Sequence, residues 1–141
     1  MAASCKDCGF ELWLPLASLR VSDLGLYSDA RFPGRSILKL RDHWDSIEDL
    51  PDAVALDFFA DLKLAMAALR RVTGAERVNF AVLGNAVPHV HGHLIPRFPA
   101  AESKPHSSPW DDPRPRAKLE AERELELIEG IRKELSDGRE K

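Results

Sequence analysis

Cysteine is scarce: the 141-residue chain holds two, Cys5 and Cys8. They lie too close together to staple distant segments, which excludes a secreted disulfide scaffold and leaves metal binding or redox chemistry open. No apolar run approaches the roughly 20 residues of a membrane-spanning helix. The start of the chain, MAASCKDCGF, lacks a basic region followed by a long apolar stretch. A cytoplasmic protein with no membrane partner is therefore expected. Charge of one sign is also missing: the net charge is −3, with acidic and basic residues mixed along the chain. Nucleic acid is not an expected partner, and any phosphate-bearing ligand must be gripped locally. There is no internal repeat and no low-complexity tract.

What is present fits one modest domain, with 44% hydrophobic and 30% charged residues. Residues 10–30 mix short apolar pieces with turn-formers and suggest brief strands. After Pro33-Gly34, RSILKLR reads as a strand over Ser36–Arg41, with His43 just beyond it. Between Asp52 and Val72, apolar Ala55, Phe58, Phe59, Leu62, Ala65, Met66, Leu69 and Val72 recur every three or four residues, which predicts a long helix closed by Thr73-Gly74. Glu76–Leu83 and Pro88–Ile95 read as a hairpin of strands joined by Gly84-Asn85-Ala86-Val87, with Pro96 closing the second strand. Residues 96–115 hold six prolines and favour an extended surface segment able to fold across a site. Ala117–Leu135 reads as a helix with Ala121, Leu125, Ile128, Ile131 and Leu135 in one stripe; Gly130 costs it about 1 kcal/mol of propensity.

Within the second hairpin strand, PHVHGHLIP places three of the five histidines on alternate residues. On a strand, His89, His91 and His93 would share one face at intervals of about 7 Å. Three titratable rings in such a row are costly unless used. Two uses compete. The imidazoles can ligate a catalytic metal with an open position, or the middle one can attack phosphorus while its neighbours hold the phosphate oxygens.

The motif His-Val-His-Gly-His-Leu-Ile, with Gly84-Asn85 before it and Pro96-Arg97 after it, resembles that of the histidine triad (HIT) family. The upstream DARFP and ILKLRDHWDSIEDL segments are similar to that family too, so the resemblance spans roughly residues 5–110. It implies an α+β domain of HIT type: an antiparallel sheet of about five strands with one long packed helix, occupying residues 1–113. The C-terminal helix, within 114–141, would be an extension of that domain. Activity is implied as well: hydrolysis or transfer of a nucleoside 5′-phosphate, from a dinucleoside polyphosphate or a phosphoramidate, through a covalent nucleotidyl-histidine. His91 is then the nucleophile and His93 the donor to phosphate oxygens. Asn85 is a phosphate contact unless it is simply a turn residue, Asp29 a ribose contact unless simply a turn-former, and Arg97 a phosphate neutraliser unless simply an exposed strand end. Phe32 or Trp110 could meet a base or sit in the core. Ala86 departs from the Ser or Thr of many relatives and removes a hydroxyl contact, and Gly92 replaces a bulkier residue.

By itself Cys5-Lys6-Asp7-Cys8 is half a tetrahedral zinc site. The resemblance to zinc-bearing relatives implies that His43 and His89 complete it, leaving His91 and His93 for chemistry. An adenine-containing nucleotide and a second copy of the chain are the partners implied. A hydrolase with all three histidines on a catalytic metal, or a nucleotide-binding regulator without turnover, are the alternatives. His106 reads as a solvent-exposed bystander.

Overall fold

Alternating leucines build one face of a sheet, and helices cover it. The computed structural model describes residues 4–139. It contains strands β1 (Leu14–Ser18), β2 (Ser22–Leu26) and β3 (Ser36–Leu40), helix α1 (Asp52–Thr73), strands β4 (Arg77–Ala81) and β5 (His91–Arg97), and helix α2 (Ala121–Arg139). The five strands pair antiparallel in the order β1-β2-β3-β5-β4, an α+β architecture as expected. Leu24, Leu26, Leu38, Leu40 and Leu94 are almost wholly buried in one core with Phe58, Leu62 and Leu69 of α1. Side chains alternate along a strand, so His91 and His93 lie on the other face of β5 from Leu94.

Helix α1 is anchored at its middle and closed at its C-terminal end. Its buried Asp61 accepts the Ser22 hydroxyl at 2.6 Å and the Arg20 and Val21 N–H groups at 3.0 Å, which fixes the β1–β2 turn. Gly74, at φ +72, ends the helix in the left-handed conformation. Phe59, expected in the apolar stripe, is instead 54% exposed and meets Phe80 of β4 edge-to-face.

Helix α2 begins at Ala121 rather than Ala117 and packs against α1. Its buried positions are Leu127, Ile131 and Leu135, while Leu125 points outward; the helical phase is set by α1, which local periodicity could not see. Each fully buried leucine or isoleucine is worth about 2 kcal/mol. Gly130 is the contact point, for a Cβ there would stand 3.1 Å from Val72 Cγ1. Close helix approach offsets the propensity lost at that glycine.

Strand β5 departs most from expectation. It starts at His91, not Pro88, and runs through Pro96 to Arg97. Proline is tolerated there because β3 pairing stops at Ser36↔Leu94, so Pro96 faces only β4 and has no β3 neighbour to supply. His89 therefore sits in the connection before the strand. Val90 secures that connection, its N–H donating to Trp44 O and its carbonyl accepting from Leu40 N–H.

Candidate functional site

On the sheet face away from α1 lies a half-open cavity of about 700 Å³. His91 and His93 of β5, Ile37 of β3, Gly25 of β2 and Tyr27 just past its end line it, as do Asn85 and Ala86 of the β4–β5 connection. Phe10, Leu12 and Trp13 of the N-terminal segment form its opposite wall. Gly25 allows this closure: a Cβ there would stand 2.9 Å from Leu12 Cβ. The walls are mainly apolar, as suits a flat heterocycle, with two imidazoles at one end.

The His91 ring is oriented by two contacts. Its Nδ1–H donates to the carbonyl of His89 at 2.6 Å, which leaves Nε2 unprotonated in the neutral ring. Phe10 packs on it with centroids 4.9 Å apart. A fixed tautomer with its lone pair on Nε2 is what a nucleophilic imidazole requires.

His93 lies beside it, ring centroids 5.2 Å apart, with Trp110 edge-on to its other side at 5.6 Å. Burial, and then the charges of His91 and Arg35, push His93 down to about 4. It is thus a neutral ring near neutral pH, able to present one N–H to an incoming oxyanion. Its Nδ1 is buried with no partner among the described residues. The unfolded ring titrates near 6.5 and the folded one near 4, so the unfolded chain takes up the extra proton between those values. Stability should accordingly fall as pH drops from 6.5 towards 4. The expected result of urea titrations across that range is a shallower slope for His93→Gln than for the wild type.

His89 faces elsewhere. Its Nδ1 lies 3.4 Å from Cys8 Sγ and 3.2 Å from His43 Nδ1, and Cys5 Sγ lies 3.5 Å from His43 Nδ1. All four ligand atoms fall within 4.8 Å of one another. Zn–N bonds of about 2.05 Å and Zn–S bonds of about 2.3 Å give tetrahedral edges of about 3.3 Å for N···N and 3.6 Å for N···S, close to these separations. The outer nitrogens support the same reading. His89 Nε2–H donates to Leu40 O and His43 Nε2–H to Asp45 Oδ1, each at 2.7 Å. Both Nδ1 lone pairs then face one another and the two cysteine sulfurs, the donor set of a tetrahedral metal site. Desolvation raises the Cys5 thiol, but hydrogen bonds from the Cys8 and Asp7 backbone and from His43 outweigh it and hold the group at about 7, which favours the thiolate a metal needs.

Asn85 lines the cavity, but the structure brings neither Asp29 nor Arg97 to it. Asp29 is buried in a turn clamp: it accepts from Arg31 N and Nε at 3.0 and 3.1 Å, from Arg31 Nη2 at 2.9 Å and from Arg35 Nη1 at 2.9 Å. Tyr27, two residues earlier and just past the end of β2, lines the cavity instead. Arg97 is buried, donating to Glu102 and Asn79, and holds the proline-rich segment to the end of β5. Phe32 is core, whereas Trp110 is half exposed beside His93. His106 is exposed, as expected. Sequence reasoning missed Phe10, Trp13, Tyr27 and Ile37. Strand alternation could have flagged Tyr27 and Ile37, but nothing local marks the N-terminal wall.

A sequence model of the HIT domain matches residues 26–100, just over half of the chain. The chain belongs to the histidine triad family. Solved structures agree in fold. A histidine triad protein of Bradyrhizobium japonicum is 24% identical, with 86% of this chain and 90% of that chain covered at a TM-score of 0.78. A Zn-bound histidine triad family protein of Mycobacterium smegmatis is 19% identical over 89% and 86%, TM-score 0.65. Plasmodium falciparum diadenosine triphosphate hydrolase, in complex with cyclomarin A, is 16% identical over 95% and 83%, TM-score 0.57. No curated protein matches the sequence.

Proposed function

We propose that the protein is a nucleotide hydrolase or nucleotidyl transferase working through a covalent nucleotidyl-His91. The observation that carries this is the hydrogen bond from His91 Nδ1 to the His89 carbonyl, beside a cavity of nucleotide size. A nucleoside, with adenine as the proposed base, lies between the apolar walls, its 5′-phosphate over His91 and near Asn85. His91 Nε2 forms a bond to the α-phosphorus as the bond to the leaving oxygen or nitrogen breaks, and the leaving group takes its proton from solvent water through the open side of the cavity. Neutral His93 steadies the phosphate oxygens as negative charge gathers on them. Water then attacks phosphorus, breaks the P–N bond to His91 and frees the mononucleotide. Family membership and the likeness to a diadenosine triphosphate hydrolase support this reading.

Cys5, Cys8, His43 and His89 would hold zinc. When bound, it supplies four ligand bonds that tie the N-terminal segment, and with it Phe10, to the connection before β5. Reduced thiols facing a metal-sized site suit a cytoplasmic location. No helix among the described residues is long and apolar enough to cross a membrane. A metal held by all three histidines fits less well, because His89 is committed to the cysteine cluster. We treat residues 114–139 as part of the same folding unit on the strength of the α1–α2 packing.

A homodimer is the proposed assembly, formed through the outer edge of β4. That strand ends the sheet, and Leu56, Phe59 and Phe80 stand exposed beside it, an apolar patch next to unpaired backbone. The wild-type chain should sediment as a pair and Phe59→Glu as a single chain at micromolar concentration.

The catalytic reading is tested by mixing the protein with α-labelled diadenosine polyphosphate or adenosine phosphoramidate and quenching in alkali. Acid-labile label should appear on the wild-type chain and be lost from His91→Ala. Label retained by that variant would sink the assignment.

A further inference from the structure

Beyond His93, on the side away from Asn85, the structure contains a second and much smaller cavity of about 110 Å³. Three guanidinium groups line it, those of Arg31, Arg35 and Arg116, together with Ile95 and Trp110. Among the described residues Asp29 is the one carboxylate ion-paired to them, with Asp112 acting on Arg31 from further off. Asp29 pairs with Arg31 and Arg35 at 2.9 Å, and Arg116 makes no ion pair among the described residues; its Nη1 has a 3.5 Å contact to the Tyr27 hydroxyl. Arg35 is 4% exposed and stacks over Tyr27 at 4.3 Å, yet its Nε has no hydrogen-bond partner among the described residues. A buried guanidinium with an unanswered N–H, in a cleft carrying excess positive charge, calls for an oxyanion.

The position of this cavity indicates which oxyanion. Ile95 is two residues past His93 on the same face of β5, and Trp110 contacts the His93 ring while also walling the arginine cavity. A chain of phosphates continuing from an α-phosphate at His91 and His93 would meet the arginines next.

We infer that Arg31, Arg35 and Arg116 form a second anion subsite, which takes the leaving-group phosphates of the substrate and so selects nucleoside polyphosphates over nucleotidyl amides. This rests on the proposed nucleotidyl transfer for its substrate meaning, though not for anion binding itself. Asp29 is then a positioning residue that aligns two of the three guanidiniums.

The test uses the full chain with Arg116→Ala, which changes an exposed side chain. The ratio of kcat/KM for diadenosine tetraphosphate to that for adenosine phosphoramidate should drop about ten-fold in the variant, an effect of the size expected from one lost charge-assisted contact. Parallel loss on both substrates, or no change in the ratio, overturns selection of the leaving group. Calorimetric titration with inorganic pyrophosphate supplies the independent arm. Pyrophosphate should bind the wild type, and Arg116→Ala should weaken it at least ten-fold. Absence of binding, or equal binding by both chains, overturns the anion subsite. Arginine-dependent pyrophosphate binding without turnover of either substrate keeps the subsite and rejects the hydrolase reading.

Discussion

A His91→Ala chain should bind nucleotide much as the wild type does but turn it over at least about 10³-fold more slowly, some 4 kcal/mol of lost transition-state stabilisation. The loss should fall on kcat, because the ring proposed to form the covalent bond is removed while the apolar walls proposed to hold the nucleoside, from Phe10 to Tyr27 and Ile37, are untouched. His93→Ala should cost less: it takes away the one oriented donor proposed for the phosphate oxygens, and such donors are typically worth about 10²–10³ in rate. Steady-state kinetics on both variants, with nucleotide affinity measured separately, give that ranking. A His91→Ala chain with wild-type turnover would leave the non-catalytic nucleotide-binding reading in possession of the field.

The second large effect concerns the cysteine and histidine cluster. Stripping metal with a chelator, or replacing Cys8 by serine, should lower the melting temperature by about 10 °C. A metal present at a thousand times its dissociation constant and bound only by the folded chain contributes about 4 kcal/mol, and a domain of this size moves by a few degrees per kcal/mol. The loss should be a shift rather than unfolding, since the cluster meets the leucine core only at its edge, through Leu40 and Val90, while the rest of that core packs against α1 and α2 without it. Differential scanning calorimetry of zinc-loaded, stripped and Cys8→Ser protein, with metal content measured on each sample, checks this. Equal melting of all three would remove the structural role assigned to the metal.

Much of the sheet and site was legible in the order of the residues. Helix α1 announced itself because its apolar stripe is long and its end is marked by Thr73-Gly74, and β3 because turn signals bracket it. The three histidines stood out because regular spacing of a rare, titratable side chain is informative. What failed did so for tertiary reasons. Strict alternation made His89 look like a member of the strand, whereas its backbone leaves the ladder and its ring turns to Cys8 and His43, a displacement visible only once the N-terminal loop is folded beneath it. Asp29 looked like a ligand because it is polar and near the expected position; two arginines close by in sequence, Arg31 and Arg35, consume its carboxylate, and Tyr27 occupies the wall. Leu125 and Leu127 are interchangeable to a helix alone, and α1 chooses between them.

His89 joins the two halves of the molecule through a single residue. Its imidazole belongs to the cysteine cluster, while its carbonyl steadies the tautomer of His91. On the proposed reading, chelating buffers and thiol oxidants should therefore impair the nucleotidyl transfer without entering the cleft, and protein purified in EDTA should turn substrate over slowly while keeping its fold.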